Sequence, residues 1–354
     1  MGKGVHNTMS DKPSRNAVLL LAHGTPNVLG EMAEYLGKVT GGRPLPAEVV
    51  AELQHRYAQI GLGETPGSEP PPLTKWTLAQ GRLLEQALRG TSSEAKVYVG
   101  MRNWHPFIAD VVRQMRLDGV THIKAVCLAP QNSRTSVGLY RRAVLTAASG
   151  MEVEFVAGWA DHPLLAEAFA ERLLPIWKLA CAEVGERIPV LFTAHSVPCR
   201  TIMTGDTSTA ATRQGAPPQT TPDTYAVEAK HTAQLVAEKM AAAGFSERDW
   251  YFAFQSQGVS GGPWIGPTVE KTFKAIKQEG HAGVIMQPVG FLCDHVEILY
   301  DIDIAFQKTA QELGLRLWRA ESLNGSALLV RALAEIVSGH YQATVDEVTV
   351  PARV

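Results

Sequence analysis

With 354 residues, 45% of them hydrophobic and 19% charged, the chain has the composition of an ordinary globular protein long enough for two domains, and neither a disordered nor a fibrous class fits. A formal net charge of -2 without a lysine or arginine stripe argues against a nucleic-acid partner, and no apolar run is long enough to span a membrane. The four cysteines, Cys127, Cys181, Cys199 and Cys293, have no Cys-x-x-Cys spacing, which indicates neither a disulfide framework nor a zinc knuckle and suits a reducing cytoplasm.

Residues 1–15 are polar, with no apolar signal region and no Arg-rich amphipathic pattern, and read as a loose start. The run over 16–22 is continuously apolar and ends at His23-Gly24-Thr25-Pro26, the pattern of a buried parallel strand entering a loop. Further strands are predicted over 97–100, 123–128 and 154–158, separated by helices over 47–59, 73–88, 106–118 and 136–148.

The second half continues with a helix over 163–184, a strand over 190–194, a helix over 225–243, a strand over 251–255 and a helix over 268–279. A strand over 283–288, a helix after Asp294, a strand over 315–318 and an amphipathic helix over 331–340 complete it. This alternation predicts an α/β protein of two Rossmann-like domains, each a parallel sheet flanked by helices, over 16–160 and 161–325. Residues 326–354 form a C-terminal helix and tail expected to pack back on the first domain. Residues 190–198 repeat the pattern of the first strand and its loop, so His23 and His195 occupy matching places. Segments 61–72, 201–222 and 257–267 are rich in Gly, Pro, Ser or Thr and read as loops, with 201–222 and 258–267 expected to be mobile borders of a ligand site. No Gly-x-Gly-x-x-Gly or Walker pattern follows a strand.

Chemistry concentrates in residues 287–304. Pro288 stops a buried strand, Gly290 lets the backbone turn, and Asp294 stands where a helix N-cap is expected. Glu297 and Asp301 follow one turn apart, a repulsive pair unless a cation or proton lies between them. Taken alone this pair reads equally as a solvated helix face; the apolar Phe291, Leu292, Val296, Ile298 and Leu299 around it favour a lined cavity. His195 and Glu297 each lie just beyond a strand of the same predicted sheet and can face one crevice, as a base for proton removal or a weak site for a divalent metal.

Thr193-Ala194-His195-Ser196-Val197-Pro198, Gln255-Ser256, Pro263-Trp264-Ile265-Gly266-Pro267 and Pro288-Val289-Gly290-Phe291 through Asp294-His295-Val296-Glu297 together resemble the motif set of the ferrochelatases. Gly24-Thr25-Pro26, Arg56-Tyr57, Gly100-Met101-Arg102, Trp104-His105-Pro106 and Leu128-Ala129-Pro130 extend the resemblance over nearly all of 16–337. The resemblance implies insertion of Fe(II) into a free-base porphyrin, with His195 and Glu297 as the catalytic pair and His195, Glu297 and Asp301 handling the metal. It also implies a slot walled by Phe291, Trp264, Ile265 and Leu292, with Arg43, Arg102 and Ser256 as anchors for propionates. No cofactor beyond the substrate iron is expected, and the lack of a C-terminal cysteine tail implies no iron-sulfur cluster. In the family the helix bearing the acids is partly π-type and carries a further acid, at whose place this chain has Ala305.

Gln255-Ser256-Gln257-Gly258 and Leu299-Tyr300-Asp301 look more like the bacterial branch that uses coproporphyrin III, which tends to be soluble and monomeric, so the resemblance implies a cytoplasmic monomer. A tyrosine often found in that branch is Asn27 here, and the 201–222 loop is longer than usual. The alternatives are a protoporphyrin IX ferrochelatase, a cobalt or nickel chelatase of the same architecture, and a haem-binding protein without catalysis.

Overall fold

A computed structural model describes residues 15–203, 223–258 and 263–351. Most of the 201–222 segment and the middle of the 257–267 segment, both expected to be mobile, lie outside the described residues. In chain order the strands are β1 (Asn16–Ala22), β2 (Lys96–Met101), β3 (His122–Cys127), β4 (Glu152–Gly158), β5 (Val190–His195), β6 (Trp250–Gln255), β7 (Gly283–Pro288), β8 (Arg316–Arg319) and β9 (Thr344–Thr349). The helices are α1 (Met32–Val39), α2 (Ala47–Gln59), α3 (Pro72–Leu88), α4 (Ile108–Leu117), α5 (Val137–Ala147), α6 (Pro163–Val184), α7 (Cys199–Met203), α8 (Tyr225–Lys239) and α9 (Val269–Gln278). After β7 come α10 (Val296–Leu299), a π-helical stretch (Asp301–Phe306), α11 (Gln307–Glu312) and, after β8, α12 (Ala327–Ser338).

Two sheets result, in the orders β2-β1-β3-β4-β9 and β6-β5-β7-β8, parallel throughout except for β9, which runs antiparallel to β4. Parallel strands buried on both faces explain the continuous apolar runs. In β1, Ala17, Leu19 and Leu21 face α4 and α5, whereas Val18 and Leu20 face the other way, into a cluster with Leu84 of α3 and Phe169 and Leu173 of α6. That same cluster takes in Val190 and Phe192 of β5, Ile285 of β7 and Leu329 and Leu333 of α12, so α6 and α12 join the sheets through one apolar core. Among the described residues no helix is long and apolar enough to cross a membrane.

Three elements were not foreseen. Helix α1 buries Met32, Tyr35 and Leu36 at helical spacing, in a glycine-interrupted stretch for which no element was predicted. Helix α7 is a single short turn after Pro198. Strand β9 is polar and mostly exposed, and only its pairing to β4 makes it a strand.

Gly283 shows how closely β7 and β8 pack: a Cβ there would lie 2.5 Å from both the Arg316 carbonyl oxygen and the Trp318 ring. A backbone oxygen cannot swing aside, so Gly283→Ala is expected to cost about 1–3 kcal/mol and to lower the thermal midpoint. An unchanged midpoint would show that β8 yields.

Candidate active site

Strand β5 lies between β6 and β7 although β6 and β7 follow it in sequence, so the connections leave its carboxyl end in opposite directions and open a crevice there. His195 is the last residue of β5, opposite Gln255 of β6. The chain leaving β7 crosses next to it: Val289 N donates to Thr193 O at 2.8 Å, and a Cβ on Gly290 would stand 3.0 Å from that of Ala194. A glycine at one position and a small residue at the other permit this approach.

The His195 carbonyl accepts a hydrogen bond from Tyr225 Oη at 3.0 Å, and its Nδ1 donates to the Ser196 carbonyl. That fixes the ring with Nε2 outward, 3.4 Å from Glu297 Oε1. Glu297 is held in turn through its backbone, since Gln255 Nε2 donates to its carbonyl at 3.0 Å while Gln255 Oε1 accepts from Thr193 Oγ1 at 2.6 Å. The second carboxylate oxygen is buried with no hydrogen-bond partner among the described residues, and His295 Nε2 lies 3.9 Å from it.

Burial alone would lower the His195 pKa, but the Glu297 carboxylate and the Ser196 carbonyl outweigh it and raise it to about 9. Burial likewise opposes the charge on Glu297, yet His195 and then His295 hold its carboxyl well below the usual range. At neutral pH the resting pair is therefore imidazolium and carboxylate.

The π-helical stretch places the acids. Its wide turn, with Ala305 N bonded to Tyr300 O at 3.0 Å, offsets the roughly 40° by which residues four apart drift around an α-helix. Ile298, Ile302 and Phe306 thereby stay in one line, buried against Phe273, Val284 and Met286. Asp301 accepts a 2.6 Å hydrogen bond from Ser256 Oγ and lies 3.7 Å from Arg56 Nη1. Ser256 has φ +58, unusual for a residue other than glycine, and follows directly on β6. Burial raises the Asp301 pKa, as does Glu297, against the Ser256 hydrogen bond and Arg56.

Several expectations need correction. Asp294 does not cap the helix: it accepts from Ser322 Oγ at 2.7 Å and Asn324 Nδ2 at 2.9 Å, while His295 takes the cap position with no side-chain capping bond. Leu292, 3% exposed, belongs to the central core rather than to a slot wall. Ile298 likewise anchors the helix to its sheet, and Val296 packs on Met32, Tyr35 and Trp104 from the other sheet's side.

The remaining predicted residues divide. Phe291 is half-buried, its ring 6.5 Å from that of His195 and 4.6 Å from that of His295. Trp264 pairs with Pro198, and Ser196 Oγ donates to the Ile265 carbonyl at 2.9 Å, which brings that segment alongside the loop after His195. Arg102 stands 5.6 Å over Tyr140, its Nε buried without a hydrogen bond among the described residues. Arg43 is exposed and bonds to its own turn, at Thr40 O. Ser256 Oγ donates its hydroxyl proton to Asp301 Oδ2 at 2.6 Å.

His23 ends β1 as His195 ends β5, but its surroundings differ. Its Nε2 is 2.9 Å from Asn103 Nδ2, and its Nδ1 is 3.2 Å from Tyr35 Oη and from the Gly24 carbonyl. Burial, reinforced by Arg102, lowers its pKa to about 4, so it is neutral and saturated with hydrogen bonds. Sequence reading named His295 and Arg56 within motifs but gave them no role, and passed over Asn103. His295 stands two residues before Glu297, a spacing that separates side chains on a regular helix, and approaches it only because its backbone is extended.

The sequence model of the ferrochelatase family matches residues 15–341. The chain belongs to the ferrochelatase family. Its reaction is the insertion of iron into a porphyrin in haem biosynthesis, a lyase activity. A ferrochelatase of Acidobacterium capsulatum is 56% identical over 340 residues, 96% of this chain and 98% of that one. A coproporphyrin III ferrochelatase of a Geobacillus species is 30% identical over 326 residues, 90% of this chain and 96% of that one. Among solved structures, SirB from Bacillus subtilis with Fe3+ has a TM-score of 0.50 at 12% identity, covering 92% of this chain and 94% of that one, a likeness of fold alone.

Proposed function

We propose that the chain inserts Fe(II) into coproporphyrin III, with His195 accepting pyrrole protons and Glu297 and Asp301 passing the metal. The observation that carries the chemistry is His195 Nε2 facing Glu297 Oε1 at 3.4 Å beside the Phe291 ring, at the mouth between β5 and β7. Metalation replaces two pyrrole N–H bonds by bonds to one Fe(II) and releases two protons. His195 becomes a base once it has lost the proton that Glu297 stabilises. A dication arriving at Glu297 takes over that carboxylate, weakens the support for the imidazolium and frees Nε2 to accept a pyrrole proton. Ion pair and base are two states of one dyad.

Support for the four-propionate substrate comes from the Gln255-Ser256-Gln257-Gly258 motif and from relatives bearing that name. Arg102 is the cation proposed to meet a propionate. Anaerobic initial rates with Fe(II) are expected to give a kcat/KM for coproporphyrin III about tenfold or more above that for protoporphyrin IX, the worth of one charge-assisted hydrogen bond. Equal or reversed preference would reject this substrate. Turnover confined to sirohydrochlorin with Co(II) or Ni(II) would assign a different chelatase.

A further inference from the structure

We infer that Arg56 is a displaceable counter-cation on the acidic face, a positioning residue that sets how readily Fe(II) reaches Asp301. The inference rests on the proposed role of Asp301 in passing the metal. Arg56 is carried by α2, which packs on α1 in the first half of the chain, yet its Nη1 stands 3.7 Å from Asp301 Oδ1 on the π-helical stretch beside the second sheet. That distance is too long for a hydrogen bond, so the guanidinium is felt as charge without being locked. It is steadied from two other sides: its Nε donates to Glu52 Oε1 at 3.0 Å, and its carbon lies 5.2 Å from the centre of the Tyr300 ring. Its side chain is 36% exposed against 13% for Asp301, which makes Arg56 the outer member of the pair.

The charges along this face are balanced at rest. Glu297 faces His195, Asp301 faces Arg56, and Asp303 is bound through both oxygens by Arg319 at 2.6 and 2.9 Å. Ala305 adds no acid at the next turn. An incoming dication therefore competes with Arg56 for Asp301. When it wins, Arg56 retains Glu52, with which it already shares a hydrogen bond, so displacement strands no charge. Ser256 meanwhile keeps the Asp301 carboxylate in place from the opposite side.

The test is a set of anaerobic initial rates against Fe(II) at saturating porphyrin, for the full chain and for Arg56→Gln, Arg56→Lys, Asp301→Asn and the Arg56→Gln/Asp301→Asn double variant. Thermal midpoints verify folding. Arg56→Gln is expected to lower KM for Fe(II) about two- to fivefold, the range of a partly exposed ion pair, with the change on iron rather than on porphyrin. Arg56→Lys, keeping the charge, restores the original KM. The effect disappears when Asp301 is already Asn and shrinks with added salt. A KM for Fe(II) that is unchanged or raised in Arg56→Gln, or that shifts equally in both backgrounds, overturns the inference while Asp301→Asn still weakens iron use. If Asp301→Asn itself leaves KM for Fe(II) unaltered, the metal-passing role of Asp301 fails, and the counter-cation with it.

Discussion

His195→Ala is expected to reduce iron insertion by about a hundredfold or more, the usual loss on removing a positioned proton acceptor, while the porphyrin still binds. The reason is geometric. Of the two histidines at matching strand ends, only His195 turns a ring nitrogen to a carboxylate in the crevice, Glu297 Oε1 at 3.4 Å. The His23 ring is committed at both nitrogens, to Asn103 and to Tyr35 or Gly24, and burial keeps it neutral down to about pH 4. His23→Ala is therefore expected to retain most of kcat but to unfold at lower temperature, since it leaves buried partners unsatisfied at a cost of about 1–3 kcal/mol. Anaerobic rates, porphyrin-binding titrations and thermal melts on both variants test this. A variant set in which His23→Ala is dead and His195→Ala active, both folded and porphyrin-bound, would move the catalytic centre to the first sheet.

Glu297→Gln is expected to lower the His195 pKa from about 9, because the carboxylate that does most to oppose burial is then gone, with the Ser196 carbonyl and Asp301 left to support the imidazolium. Titration of the His195 ring protons by NMR in the two proteins measures this directly. Stability follows with a definite sign. A histidine whose folded pKa is raised contributes stability that is fully present below pH 6.5 and is lost as the pH rises through about 9. Glu297, whose pKa is depressed from 4.5, contributes above that pH and loses its contribution as the solution is acidified further. The dyad thus supports the fold most between about pH 4.5 and 6.5, and Glu297→Gln should flatten the alkaline side of a midpoint-versus-pH curve. Iron insertion should also fall sharply, as the variant loses both the carboxylate that receives the dication and the charge coupled to the base. A His195 pKa that stays near 9 in Glu297→Gln would mean that another group holds the proton.

The two-sheet α/β architecture was legible because burial on both faces forces unbroken apolar runs. Val18 and Leu20 had to be apolar for one cluster, and Leu19 and Leu21 for another. The motifs bearing His195 and Glu297 were legible because a sharp crossing between β7 and β5 demands Gly290 beside Ala194. What escaped had no such local demand. Strand β9 alternates weakly and is a strand only by pairing with β4. Asp294 has the right residue type and place for a cap, but Ser322 and Asn324 offer its carboxylate better-placed donors. Leu292 and Ile298 were apolar for the core, not for a slot.

Element type, strand and helix order and the reactive residue types follow from near neighbours along the chain, where periodicity, glycine and proline act within a few residues, and these are readable from the amino-acid order. Which cation meets which acid depends on packing between segments far apart in the chain. Arg56 and Asp301 are brought to 3.7 Å by the apposition of α2 and the π-helical stretch, and His195 and Glu297 to 3.4 Å by the crossing of two strand ends. The different charge states of His23 and His195 have the same origin, since both follow similar strands and only their surroundings, burial beside Arg102 in one case and the Glu297 carboxylate in the other, set their protonation.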